Sequence, residues 1–288
     1  PNLQDTFIPL AGVLAGILQI WRYGLDWQDI SLLGTMYFLT VVGVEVGLHR
    51  YFAHKSFETT AALQSLLAIL GAMAAQGPLI YWIANHRRHH QYSDQRGDPH
   101  SPHLQGEGLL NRITGFWHAH MGWIFDHETP NPGVFAKDEL RNPSLSQIDR
   151  LYLFWILLGL VIPTIVGGVI YGNVVGLWHG FLWGGLVRLF LVNQGTTFIV
   201  NSSCHTVGTR PFLTDELSTN NGWLCLPTLG GSWHNNHHAF PGSAITGLAW
   251  WQLDPSGWVI RAFEWFGLVW NVKRPTPERI IAKKARPH

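Results

Sequence analysis

Residues 30–54 read ISLLGTMYFLTVVGVEVGLHRYFAH. The first part, Ile30–Leu48, is apolar over nearly the length of about 20 residues that a helix needs to cross a bilayer. It runs directly into two histidines, His49 and His54. An apolar span that ends in side chains able to bind metal is the pattern from which the rest of the chain is read. Three further stretches are comparable, Phe7–Trp21, Leu151–Tyr171 and Val174–Val200, the first short enough to need flanking residues or tilt. Between Ala84 and Arg150, and again after Asn201, the chain turns polar and rich in Pro, Gly and His.

The composition agrees with a chain that is not solvated by water alone. Only 13% of the 288 residues are charged, against about 25% in soluble domains. A net charge of +1 excludes the strong basic field that would recommend nucleic acid as a partner. Cys204 and Cys225 are too few for a disulfide framework and are expected to be free and reduced. The opening residues from Pro1 show no basic region followed by a small-residue cleavage site, so no export signal is expected here.

The 16 histidines are the outlier. Besides His49-Arg-Tyr-Phe-Ala-His54 there are His86-Arg-Arg-His89-His90, Asn201-Ser-Ser-Cys-His205 and His234-Asn-Asn-His237-His238. At about 100° per residue, the three members of each His-x-x-His-His trio share one helix face. The adjacent pair diverges enough for its two rings to serve different ions. Asn201 and His205 also share a face, whereas His49 and His54 lie about 140° apart on a regular helix, so the helix must end or distort between them. Nine buried imidazoles without partners would carry a severe desolvation cost. Neutral imidazole suits Zn, Cu, Fe or Ni. A closed structural zinc site needs four ligands, so nine point to two ions.

Topology follows from parity. If the histidine groups converge they lie on one side of the membrane, and an even number of crossings separates them. The stretch Ala61–Trp82 therefore cannot be a simple span and should be buried in protein or lie along the interface. Leu151–Tyr171 and Val174–Val200 form a hairpin through Gly172 and Asn173. Of the 19 Lys and Arg, all but Arg22 and Arg188 fall on the histidine side, which places that side in the cytoplasm. The expected fold is a single all-α integral membrane domain over residues 1–288. Four transmembrane helices at about 7–21, 30–48, 151–171 and 174–200 carry a cytosolic helical cap, about 49–150 and 201–288, that holds a histidine-rich dimetal site.

The order His-x4-His, His-x2-His-His, His-x2-His-His between Glu45 and Pro241 resembles the membrane fatty-acid desaturases, specifically the delta-9 acyl-CoA or acyl-lipid branch. The local context agrees: Trp82 ahead of His86, Gly97-Asp98-Pro99-His100, His120-Met-Gly-Trp123, and Asn201-x3-His205. The resemblance implies a diiron enzyme that uses O2 and two electrons to place a cis double bond in an acyl chain held in a kinked tunnel. It assigns His49, His54, His86, His90 and His237 to one iron. His89, His205, His234 and His238 go to the other, with Asn201 acting through a water. Trp82, Trp117 and Trp123 are candidates for the tunnel lining.

Two features depart from the family. Glu45 stands in the span where the family carries small or hydroxyl residues, either as acceptor for the His49 N–H or as a polar residue paired within the bundle. No cytochrome b5 domain is fused within this sequence, so a separate ferredoxin or cytochrome b5 is expected to supply electrons. Arg87 and Arg88 point off the ligand face, either solvated or toward a phosphate head group or an acidic donor. His100, His103, His118, His120 and His127 are expected to be hydrogen-bonding or surface residues. A diiron hydroxylase or ketolase acting on a hydrocarbon or isoprenoid is the nearest alternative. A metal or proton transporter is a remote one, because such proteins carry ionisable groups inside their spans; here those are Glu45, His179 and Arg188.

Overall fold

The structure, a computed structural model, describes residues 4–126 and 128–284. Helix α1 (Gln4–Tyr23) turns at Gly24, which takes a left-handed φ of +82°, into α2 (Trp27–Ala53). Asp26 and Asp29 close a capping box at the α2 N-terminus. From Gly43 to Ala53 this helix is wound as a π-helix. A two-residue strand β1 (Glu58–Thr59) leads to α3 (Ala61–Ala72), capped by Thr60, whose side chain accepts the Leu63 N–H. Then come α4 (Leu79–Tyr92), α5 (Leu109–His120), and the short α6 (Pro132–Phe135), α7 (Lys137–Leu140) and α8 (Pro143–Arg150). The long α9 (Tyr152–Tyr171) and α10 (Val174–Ser203) follow, then α11 (His234–Ala239) and α12 (Pro255–Trp265). Strand β2 (Val269–Trp270) pairs antiparallel with β1, and α13 (Pro277–Lys283) closes the chain.

Among the described residues, α2, α9 and α10 are long and apolar enough to cross a membrane; Ile8–Tyr23 is a shorter apolar helix. The hairpin between α9 and α10 is closed by Gly172 in the left-handed conformation and by Asn173, whose side chain accepts the Gly176 N–H. The two helices approach backbone to backbone because small residues face each other. A Cβ on Gly180 would stand 2.0 Å from the Pro163 carbonyl, and one on Gly167 would stand 2.3 Å from that of Gly176. In lipid, where burial of apolar surface drives no helix association, such close packing is what holds helices together.

The stretch 61–82 is not one helix. The 12 residues of α3 extend only about 18 Å, well short of the roughly 30 Å hydrocarbon layer. The helix crosses α2 where Gly43 and Gly71 meet; a Cβ on Gly43 would lie 2.2 Å from the Gly71 nitrogen. Its C-terminal carbonyls need partners in an apolar setting. Arg188 of α10, fully buried, donates to the carbonyls of Met73 (2.5 Å), Gly159 (2.8 Å) and Gly184 (3.1 Å). One guanidinium therefore ties the end of α3 to α9 and α10. Replacing it by Leu strands the Met73 and Gly159 carbonyls at a cost of about 1–3 kcal/mol each. We expect Arg188→Leu to lower the melting midpoint of the detergent-solubilised protein by several degrees; an unchanged midpoint would refute the clamp.

Candidate metal centre

The π-helical end of α2 resolves the spacing of its two histidines. In a π-helix the hydrogen bond runs from residue i+5 to residue i, and the His54 N–H donates to the His49 carbonyl at 3.1 Å. Residues five apart then stack rather than diverge, and the two rings have centroids 5.0 Å apart. On α4, His86 and His90 lie on one side and His89 turns to the other. On α11, His234 and His238 share a side and His237 faces away from them. The result is two clusters. His49, His54, His86, His90 and His237 form one, and His89, His205, His234 and His238 the other, the candidate ligand atoms of each lying within 4.8 Å of one another.

Within the first cluster Nε2 atoms face each other at 3.0 Å (His49–His237), 2.7 Å (His54–His86) and 2.9 Å (His90–His237). Within the second, His234 Nε2 lies 3.0 Å from both His205 Nε2 and His238 Nε2. Two nitrogens each about 2.1 Å from a shared cation and at right angles would lie about 3.0 Å apart, which is the spacing seen. His89 Nε2 is buried and has no hydrogen-bond partner among the described residues. An unpaired acceptor beside other facing lone pairs is what a metal ion would satisfy, so the donor set fits two imidazole-bound ions.

The opposite ring nitrogens are held by carboxylates. His49 Nδ1 lies 3.0 Å from Glu45, His89 Nδ1 2.9 Å from Asp98, and His205 Nδ1 2.9 Å from Asp94. Such contacts fix the tautomer and aim Nε2 at the centre. Burial pushes the Asp94 and Asp98 carboxyls up, but their contacts with His205 and His89 outweigh it and hold both well below the usual carboxylate range. Burial, reinforced by neighbouring imidazoles, pushes His54, His86, His90, His234, His237 and His238 well below the ordinary imidazole value. Those six rings are therefore neutral, as metal ligation requires. Asp94, Asp98 and Glu216, the last 3.7 Å from His238 Nδ1, were not marked by sequence reasoning as partners of the histidines. A signal existed for the first two, acidic residues within ten positions after the first trio.

A cavity of about 900 Å³, its open mouth included, runs alongside both clusters. Its walls include His49 and His86 from one cluster and His89 and His234 from the other, with Glu45 and Asn201. Val44, Ile124, Phe198 and Val200 make it largely apolar. Trp82 and Trp123 both line it, and Trp82 Nε1 donates to Gln76 at 3.0 Å. Trp117 does not line it: it lies on the outer side of α5 and is 56% exposed.

Of the other placements, Asn201, Arg87 and Arg88 differ from the sequence expectations, while His103, His120 and the two cysteines agree with them. Helix α10 ends at Ser203, so no helical turn joins Asn201 to His205. Arg87 is neither solvated nor free for a ligand; it donates to the carbonyls of Phe52, Ala53 and Phe135 and pairs with Asp138, because the end of α2 leaves carbonyls unbonded there. Arg88 is likewise engaged, by the Gly97 carbonyl and Glu128. His100 is buried and stacks on His89 with ring centroids 4.3 Å apart. His103 contacts the His205 carbonyl, His120 bridges Ser202 and Gln194, and His118 lies 3.8 Å from Asp126. His127 lies outside the described residues. Cys204 and Cys225 are free and buried.

A largely helical chain with helices of membrane-spanning length, two imidazole clusters that could each hold a metal ion and a largely apolar cavity alongside them has the features of a membrane enzyme with room for an apolar substrate. The chain belongs to the fatty acid desaturase family: the sequence profile described as "Fatty acid desaturase" matches residues 30–272. It is similar to a hex-5-enoyl-[acyl-carrier protein] acetylenase of Moorena producens (strain JHB), 49% identical, over 96% of this chain and 87% of that one. It is 36% identical to delta-9 acyl-lipid desaturase 2 of Arabidopsis thaliana, over 87% of this chain and 76% of the relative. An acyl-CoA 5-desaturase of Anemone leveillei is 33% identical, over 96% and 81%. The chain is thus an oxidoreductase of this family.

Two outcomes follow for the centre. Asp98→Asn removes the charge behind His89 while keeping its shape, and we expect metal affinity to fall about 10-fold or more, read by titrating metal into stripped protein; unaltered affinity would count against this role. Stability of the stripped protein should depend on pH with a definite sign. The six depressed imidazoles take up protons more readily when unfolded, so stability is full above about pH 6.5 and falls on acidification toward their lower folded values. Thermal melts that are flat from pH 7.5 to pH 5 would contradict the neutral cluster.

Proposed function

We propose that the chain is an O2-dependent fatty-acyl desaturase that introduces a cis double bond, at the delta-9 position, into a saturated acyl chain. One iron would be held by His49, His54, His86, His90 and His237. The other would be held by His89, His205, His234 and His238, with Asn201 reaching it through a water. The observation that supports this most is that a single largely apolar cavity is walled by rings from both clusters. A chain lying in it would present its methylenes to both metal positions at once.

When bound, two irons together with dioxygen supply an oxidant able to take hydrogen from an unactivated C–H bond, which zinc does not. The protein's own part is positioning and exclusion of water. Glu45, Asp94 and Asp98 hold the Nδ1 protons of His49, His205 and His89, keeping each Nε2 lone pair directed inward. Trp82 and Trp123 narrow the cavity and determine which carbons lie beside the clusters. The net change takes two hydrogens from adjacent carbons and, with two electrons and two protons from outside, reduces dioxygen to water. A separate ferredoxin or cytochrome b5 would bring the electrons. Residues 1–288 would act as one domain in which α1, α2, α9 and α10 span the bilayer and the cap faces the cytoplasm, where its lysines and arginines are retained.

The 49% identical acetylenase favours a second reading, in which the same removal of two hydrogens is applied to an alkene and gives an alkyne. Expression in a host lacking unsaturated fatty acids, with mass-spectrometric profiling of saturated and terminally unsaturated feeds, separates the two. We expect a new monoene, lost in His86→Ala and in His237→Ala. Alcohol in place of alkene, or unaltered product in both variants, would overturn the assignment.

A further inference from the structure

The exposed aromatic side chains of the second half of the cap are not scattered. Trp258, Arg261 and Trp265 recur along one face of α12, and Phe266 follows directly. The opposite face buries Ile260 completely and packs Val259 and Phe263 into an apolar cluster with Val41, Val42 and Val44 of α2. A second segment, the turn from Gly222 to Pro227, carries Trp223, 95% exposed, and Leu226, 57% exposed. It is fixed to α2 by the Tyr37 hydroxyl, which donates to the Pro227 carbonyl at 2.7 Å.

Depth along α2 shows where these segments lie. The exposed Asp26 and the Asp29–His179 pair at 2.8 Å mark the polar end of the bundle remote from the histidine clusters. A helix leaving that level at Trp27 rises about 1.5 Å per residue and clears a hydrocarbon layer of roughly 30 Å only after about 20 residues, near position 47. Val41–Val44 therefore lie just below the cap-side boundary and Tyr37 deeper, so the α12 side chains packed on those valines and the turn bonded to the Tyr37 hydroxyl lie close to that boundary. Such a face, rich in Trp and bordered by Arg261, matches the chemistry of the membrane–water interface.

We infer that α12 and the Gly222–Pro227 turn form a foot by which the cap is set into the bilayer, its occupant being the lipid of the cap-side leaflet. The foot rests on the reading of α2, α9 and α10 as membrane spans. It makes residues 201–288 partly interfacial, although most of the polar residues of the chain lie in that half and its neighbour. Trp258 and Trp265 sit at the level of the lipid carbonyls and acyl starts, and Arg261 reaches the head groups.

Site-directed spin labelling tests this in the full-length protein. The native cysteines are both buried, so nitroxides can be introduced at Trp258→Cys and Trp265→Cys. Ile165→Cys on the outer surface of α9 and Asp215→Cys in the polar cap serve as lipid and water references. All four are exposed positions whose replacement leaves the core intact. In phosphatidylcholine–phosphatidylglycerol vesicles, collision with oxygen relative to a water-soluble nickel chelate should be several-fold higher at 258 and 265 than at 215, approaching the value at 165. If 258 and 265 match 215 while 165 reports lipid, the foot is refuted and the surface belongs to water or to a protein partner. If 165 also reports water, the spanning reading fails together with the foot.

Discussion

Nine imidazoles can be gathered in a dry interior only if each keeps a lone pair free and the protons are paired wherever an acceptor can be brought up. That constraint shapes the rest of the molecule, although among the described residues the buried Nδ1 atoms of His234 and His237 have no partner. Imidazolium charges packed this closely would repel and could not be solvated, so burial pushes His54, His86, His90, His234, His237 and His238 well below the ordinary imidazole value. At His89 burial is outweighed by the Asp98 carboxylate, which raises it. A neutral ring still carries one N–H, and leaving it unpaired is costly. Glu45, Asp94 and Asp98 take those protons on three rings from two segments, the α2 span and the turn after α4. Buried carboxylates are themselves expensive, and they are tolerated because each faces a histidine. Neither half of these pairs could be buried without the other.

Much of this arrangement was legible in the sequence. The i, i+3, i+4 spacing on α4 and α11 is a statement about helix faces, and the structure divides both trios between two clusters as that spacing implies. The stretch 61–82 was excluded as a simple span by parity, and it is broken after Ala72. The His49–His54 pair could not be resolved at that stage, because α-helical geometry puts the two rings far apart and nothing in the local composition announces a π-helix. The π-wound stretch coincides with a tertiary contact: Gly43 and Gly47 let α3 press against the helix at backbone distance.

What could not be read was long-range pairing. Arg87 and Arg88 look like exposed charges beside a ligand face. Their acceptors are the unbonded carbonyls at the end of α2 and Glu128, 40 positions away from Arg88. Trp117 resembles a tunnel residue by proximity to Trp123. The helix carrying it buries Gly115 and Ala119 instead, because a side chain at Gly115 would collide with the Pro102 carbonyl at 2.1 Å. Small residues select the inner face of α5, and hydrophobicity alone would have chosen the opposite one.

The separation between ligands and cavity walls bears on how one family serves different acyl groups. The histidines come from the cap-side end of α2, from α4, from the segment after α10 and from α11. The walls come largely from Val44, Ala75, Gln76, Tyr81, Trp82, Ile124, Thr196 and Phe198, which carry no ligand atom. On the proposed function, exchanging such a wall residue would alter where a bound chain stops without altering the tautomer or reach of any imidazole. Relatives named for a delta-9 desaturase, a 5-desaturase and an acetylenase are compatible with that division. Glu45 is the exception, since it both lines the cavity and holds His49. Apart from the histidines and Asn201 that also wall the cavity, it is the position where a change in the wall is also a change at the candidate metal centre, and there shape and reactivity are physically coupled.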